Sequence, residues 1–158
     1  YSIRPGTQAL PLINGVYQAL LNIKGKIKIS DNELFFEDNN INVLKDYLIK
    51  KFITNKNIKI TGSINKRLPN HLSFILLNKD FIPIHSYKIV NFMSENNIAI
   101  SSGSACSSET NKDNLILNKL NYDKNKLFSN VRVSFSYENN IKEVDKFYAL
   151  LLKCIDIF

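Results

Sequence analysis

One cysteine stands in unusual company: Ile98-Ala99-Ile100-Ser101-Ser102-Gly103-Ser104-Ala105-Cys106-Ser107-Ser108 runs from an apolar stub into small, polar residues around a single thiol. A free cysteine ordinarily packs as a small hydrophobe among Leu, Ile and Val, yet the residues just before Cys106 are Ser, Gly, Ser and Ala. Small residues give little steric or apolar anchoring, and the polar run from Glu109 to Asn114 adds none. That setting suits a nucleophile that collects a group in one place and delivers it in another. It also describes a turn with an incidental cysteine, because no adjacent Lys, Arg or His lowers the thiol pKa.

Arg132 is the second candidate. It lies in a run where Val131, Val133 and Phe135 alternate with Arg132, Ser134 and Ser136, the period of a half-buried strand. A guanidinium there is less easily solvated than on a helix surface, and its planar fork suits a carboxylate held bidentately. That carboxylate is either a ligand's or one of the chain's own Asp or Glu side chains. Gly6-Thr7, at the head of a helical pattern, offers backbone N–H groups and a hydroxyl that hold a phosphate or simply cap the helix. His71 and His85 have no spacing that pairs them with Cys106 or builds a metal set. Gly-rich nucleotide motifs, helically spaced histidine pairs and zinc-type cysteine pairs are absent, so those classes are set aside.

The elements that must carry these residues follow from apolar spacing. Leu10, Ile13, Val16, Tyr17, Leu20 and Leu21 predict an amphipathic helix with a continuous core face, in spite of Gly15. After a polar stretch from Ser30 to Asn40, the residues Ile41, Leu44, Leu48 and Phe52 predict a second helix, widened by Tyr47 and Ile49. Ile58 to Thr61 and Leu72 to Leu77 read as strands, Tyr87 to Met93 as a third helix, and Ile98 to Ser101 as a short strand entering the cysteine loop. Leu115 to Leu120 reads as a short helix and Val131 to Ser136 as a strand. Ile141, Val144, Phe147, Tyr148, Leu151 and Ile155 mark a last helix, with Asn140 and Glu143 spaced as a reciprocal cap. Cys154 falls on that helix and reads as packing. Short strands among helices predict an α+β (layered α/β) fold, a small mixed sheet packed with helices.

Composition sets the outer bounds. A chain of 158 residues with 44% hydrophobic residues can build one domain with a real core. The formal charge is +7, but the lysines are spread among asparagines with no dense run, which argues for a solvated surface and against a nucleic-acid groove. Two cysteines make no disulfide framework, and reduced thiols in a cytosol-like compartment are the expectation. No run approaches the ~18 to 20 apolar residues of a membrane span, and no signal-peptide pattern opens the chain. Tyr1 stands where translation products begin with Met, so the start reads as a fragment boundary.

Taken in order, Arg4-Pro5-Gly6-Thr7, Arg67-Leu68-Pro69-Asn70 before Leu72-Ser73-Phe74, the Ser101 to Ser108 segment, and Val131-Arg132-Val133-Ser134-Phe135-Ser136 resemble the C-terminal part of pyridoxal-phosphate-dependent (PLP-dependent) cysteine desulfurases, in the class V aminotransferase family. The cysteine segment is similar to that of the long-loop group. The resemblance implies the C-terminal small domain of a fold-type I PLP enzyme. Residues 1–30 would lead from a large PLP-binding domain, and residues 31–158 would form the small domain, with the cysteine loop at about 101–114.

The same resemblance implies that L-cysteine is the substrate, L-alanine the product, and Cys106 the nucleophile that retains the sulfur as a persulfide. Arg132 would hold the substrate carboxylate, and Thr7 would contact the phosphate of the neighbouring subunit's PLP in a homodimer. PLP supplies the electron sink for this chemistry. No lysine here follows a histidine, so the Schiff-base lysine is expected outside this chain, and the isolated chain is expected to be inactive. A sulfur-acceptor protein such as an iron-sulfur scaffold is the implied partner, in the cytoplasm or an organelle matrix, with no nucleic acid, membrane or metal. Three alternatives remain: a related class V aminotransferase, a selenocysteine lyase, and a cofactor-free sulfur-relay module.

Overall fold

The computed structural model describes residues 8–24, 27–30, 33–36, 39–103 and 115–158, and the chain divides into two units, Tyr1–Asn39 and Asn40–Phe158. In the first unit, α1 spans Leu10–Lys24. Pro11 falls in its opening turn, where the missing N–H has no helical partner to lose. The helix forms as its spacing predicts, but its expected core face does not bury: Leu10, Ile13, Val16, Tyr17 and Leu20 are all exposed. Next come β1 (Ile27–Ser30) and β2 (Glu33–Phe36), an antiparallel pair with Ile27 opposite Phe36. The sequence reading missed this hairpin, because Leu34-Phe35-Phe36 is a short apolar run set between Glu33 and Glu37.

The second unit is built on a four-stranded antiparallel sheet of β3 (Ile58–Ile60), β4 (His71–Leu76), β5 (Ser101–Ser102) and β6 (Asn130–Ser134), in the order β3-β4-β6-β5. Packed with it are α2 (Asn39–Thr54), α3 (Ser86–Glu95), α4 (Leu115–Lys119) and α5 (Ile141–Ile157). The α+β expectation holds, but the sheet expected to be mixed is antiparallel at every pairing among the described residues, because none of its hydrogen-bonded neighbours run the same way. Alternation along the strands gives the sheet two different faces. One carries Ile58, Leu72, Phe74, Leu76, Val131 and Val133, all buried in one core with Leu44, Leu48 and Phe52 of α2, Ile89 and Met93 of α3, and Phe147 and Leu151 of α5. Phe74 meets Phe52 edge-on at 4.8 Å between ring centroids, a favoured aromatic geometry. The opposite face carries His71, Ser73, Asn130 and Arg132, with a small second cluster of Ile75, Leu77 and Leu117 beside them.

Capping fixes where the helices start and stop. The Asn140 side chain accepts the Glu143 N–H while the Glu143 carboxylate accepts the Asn140 N–H, a complete capping box at the head of α5. Asn97 and Asn121 take left-handed φ angles of 58° and 59°. At both, a Schellman stop forms: Ile98 N–H donates to Met93 O and Tyr122 N–H to Leu117 O, with Asn97 and Asn121 donating to Ser94 O and Asn118 O. Three of the asparagines, Asn97, Asn121 and Asn140, are therefore helix punctuation. The first stop corrects one expectation. Ile98 and Ile100 pack against the core outside any strand, and the strand predicted from Ile98 pairs only at Ser101 and Ser102. A 3₁₀ helix at Lys124–Ser129 was not predicted either, and it leads directly into β6.

Candidate functional site

The polar face of the sheet forms the floor of a cavity of about 270 Å³. Antiparallel register sets Ser73 of β4 opposite Arg132 of β6, and Arg132 opposite Ser101 of β5, so all three lie in one row across the sheet. Thr61 extends the row, because its N–H donates to Ser73 O at 2.9 Å. The cavity is lined by Thr61, His71, Ser73, Asn130 and Arg132 from this face, by Gly62 to Leu68 in part, by Leu117 and Leu120 at α4, and by Gly103.

Beneath the cavity the polar groups are closely paired. The Thr61 hydroxyl lies 2.7 Å from Ser73 Oγ and 3.2 Å from Asn130 Oδ1, and the Ser73 hydroxyl donates to Asn130 Oδ1 at 2.8 Å. All three residues are buried, and the shared hydroxyl protons give each buried atom a partner, as interior polar groups require. The loop above is set by Gly62, whose φ of 75° lies in the left-handed region that favours glycine. Its N–H donates to the Tyr122 hydroxyl at 3.4 Å. The Asn121 stop that orients Tyr122 thus also fixes one wall of the cavity.

The guanidinium groups differ from this floor. Arg132 is half-buried and its Nε is fully buried with no hydrogen-bond partner; Arg67 Nη1 is buried and unpartnered in the same way. Among the described residues neither arginine takes part in an ion pair. Among the described residues the lining contains Lys66, Arg67 and Arg132 but no carboxylate. Burial, then the charge of Arg67, then that of Arg132, lower the His71 pKa from its ordinary value, so a third positive charge beside the two guanidinium groups is disfavoured. Buried donors without acceptors carry a desolvation cost that a bound anion removes. Among the described residues the lining is cationic and beside it lie unpartnered guanidinium nitrogens, an arrangement suited to an anion.

Of the residues singled out in the sequence, Arg132 is here, and the alternative that it pairs with the chain's own Asp or Glu finds no support among the described residues. Cys106 and Thr7 lie outside the described residues; Gly103, the last described residue before the cysteine segment, is part of the lining. Cys154 is fully buried in the core, and burial pushes its thiol up to about 11. His85 stacks on Phe128 at 5.6 Å and does not line the cavity. Sequence reasoning assigned no role to Arg67, His71 or the Thr61, Ser73 and Asn130 group. The one signal for them was the Arg67-Leu68-Pro69-Asn70 motif.

The polar face of the small antiparallel sheet thus carries a cationic cavity, and helices cover its other face. The chain belongs to the aminotransferase class-V family, whose model matches residues 3–147. It is 27% identical over 154 residues to the cysteine desulfurase IscS of Ruthia magnifica subsp. Calyptogena magnifica, covering 98% of this chain and 35% of that protein. It is 28% identical over 157 residues to a cysteine desulfurase of Gluconacetobacter diazotrophicus, covering 91% of this chain and 38% of that protein. The chain thus spans about a third of the length of these curated relatives. In fold it is similar to a NifS-like protein from Rickettsia africae, with TM-score 0.71 at 22% identity over 99% of this chain and 37% of the other. The cysteine desulfurase CsdA of Escherichia coli gives TM-score 0.66 at 15% identity, over 99% of this chain and 33% of the other.

The family implies PLP, and the cavity does not fit its ring. The described lining holds neither a carboxylate for a pyridine nitrogen nor any aromatic plane other than the His71 imidazole.

Proposed function

We propose that this chain is the carboxylate-binding and sulfur-accepting part of a cysteine desulfurase. The observation that carries the reading is the buried, unpartnered Nε of Arg132, a residue lining a cavity with no acidic side chain among the described residues; the curated relatives named cysteine desulfurases support it. In this reading the Arg132 fork holds the carboxylate of L-cysteine. The Cys106 thiolate takes the substrate sulfur, so that a C–S bond breaks and an S–S bond forms. The electron pair of the broken bond stays on carbon, which takes up a proton to give L-alanine, and Cys106 is left as a persulfide.

PLP and its Schiff-base lysine belong to parts of the whole protein outside this chain, and Thr7 contacts the cofactor phosphate of the neighbouring subunit in a homodimer. The persulfide passes to an acceptor protein such as an iron-sulfur scaffold, in the cytoplasm or an organelle matrix. Among the described residues no helix is long and apolar enough to cross a membrane. The test is mass spectrometry of the full-length protein after L-cysteine. A gain of one sulfur atom on the peptide containing Cys106, lost in Cys106→Ser, is expected. Alanine release with no sulfur ever found on Cys106 would show a related class V enzyme instead.

A further inference from the structure

Arg67 opens the motif Arg67-Leu68-Pro69-Asn70, to which the reading above gives no task. Its Nε donates to Ser63 O at 3.0 Å and its Nη2 to Thr61 O, so two edges of the planar guanidinium are locked onto the backbone of the Gly62 loop. The third nitrogen, Nη1, is buried without a partner, as is Nε of Arg132, and both arginines line the one cavity. Two guanidinium groups lining one cavity with no acidic side chain among its described residues repel each other, and each keeps a desolvated donor. A carboxylate relieves both at once, because it has two oxygens and accepts from two directions.

We propose that Arg67 is a second carboxylate donor and a specificity-determining residue. Arg67 Nη1 and the Arg132 guanidinium grip one α-carboxylate from two sides, so the cavity selects a free amino acid over its amide. The inference rests on reading Arg132 as the carboxylate clamp. Because the Arg67 plane is fixed by the loop carbonyls, the donor is placed before the ligand arrives and little ordering cost remains to be met on binding.

The experiment compares L-alanine with L-alaninamide by calorimetric titration of the full-length protein, and reads the ratio of their dissociation constants. The ratio favours L-alanine in the wild type. Arg67→Gln is expected to lower it by about tenfold or more, the effect of losing one charge-assisted hydrogen bond, and Arg67→Lys is expected to fall between the two. A merely structural Arg67 weakens both ligands alike and leaves the ratio unchanged, which would overturn the proposal. If Arg67→Gln does not fold, Arg67→Lys against wild type gives the same reading. A ratio that falls in Arg132→Lys and not in either Arg67 variant removes Arg67 and leaves Arg132 its role. A ratio that moves in none of them removes the carboxylate reading, and this inference with it.

Discussion

Two buried guanidinium nitrogens, Arg132 Nε and Arg67 Nη1, lack hydrogen-bond partners. His71 is a neutral group under the charge of Arg67 and Arg132, and both burial and those charges lower its pKa. The unfolded chain therefore binds a proton to His71 at a higher pH than the folded one. Stability contributed by the neutral imidazole is complete above the ordinary histidine pKa of about 6.5 and is lost as pH falls through the lowered folded value. His71→Gln is accordingly expected to flatten the acid side of the urea-denaturation stability profile; an unchanged slope would contradict the coupling. The two cysteines are expected to separate in the same way. Cys154, buried and with its thiol pushed up to about 11, should resist iodoacetamide at neutral pH until denaturant is added, as peptide mapping would show. Cys106 was picked out from its neighbours alone and Arg132 from strand alternation. Arg67 was invisible as a donor, because only the fold shows that two of its nitrogens are occupied and one is not.

Elements follow local rules closely here, and their failures have local causes. The last helix was readable from Asn140, Glu143 and the apolar face running from Val144 to Ile155. Loss of that cap in Asn140→Ala should cost about 1 kcal/mol, measured as a shift of the urea midpoint at constant slope. The left-handed stop at Asn97 predicts a contrast: Asn97→Ala should destabilise by about 1 kcal/mol and Asn97→Gly should not, since only the Cβ is penalised there. Equal effects from the two would argue against the stop. The β1–β2 hairpin was missed because its second strand is short and flanked by acids. The strand at Ile98 was misplaced because β-branched residues after a helix were read as pairing, whereas Ile98 is the apolar contact of the Schellman stop.

For the molecule as a whole, the described lining of the cavity supplies guanidinium donors and no carboxylate for a pyridine nitrogen. The 158-residue chain incubated with PLP is therefore expected to show no Schiff-base absorbance band and no alanine release from L-cysteine. Robust turnover by this chain alone would contradict the proposed division of labour. Local order reveals the helix periods, the caps, the alternation around Arg132 and the odd surroundings of Cys106, since each depends on residues within a few positions of one another. Assembly of the site does not. Thr61 and Asn130 meet across 69 residues of chain, Ser73 meets Arg132 through strand register, and Arg67 reaches the same cavity through a loop turned at Gly62. Register and loop path are set by which face of the sheet the core of Phe74, Val131 and Leu151 buries. That global choice leaves the polar face outward and brings His71, Arg67 and Arg132 together, a proximity no periodicity in the chain encodes.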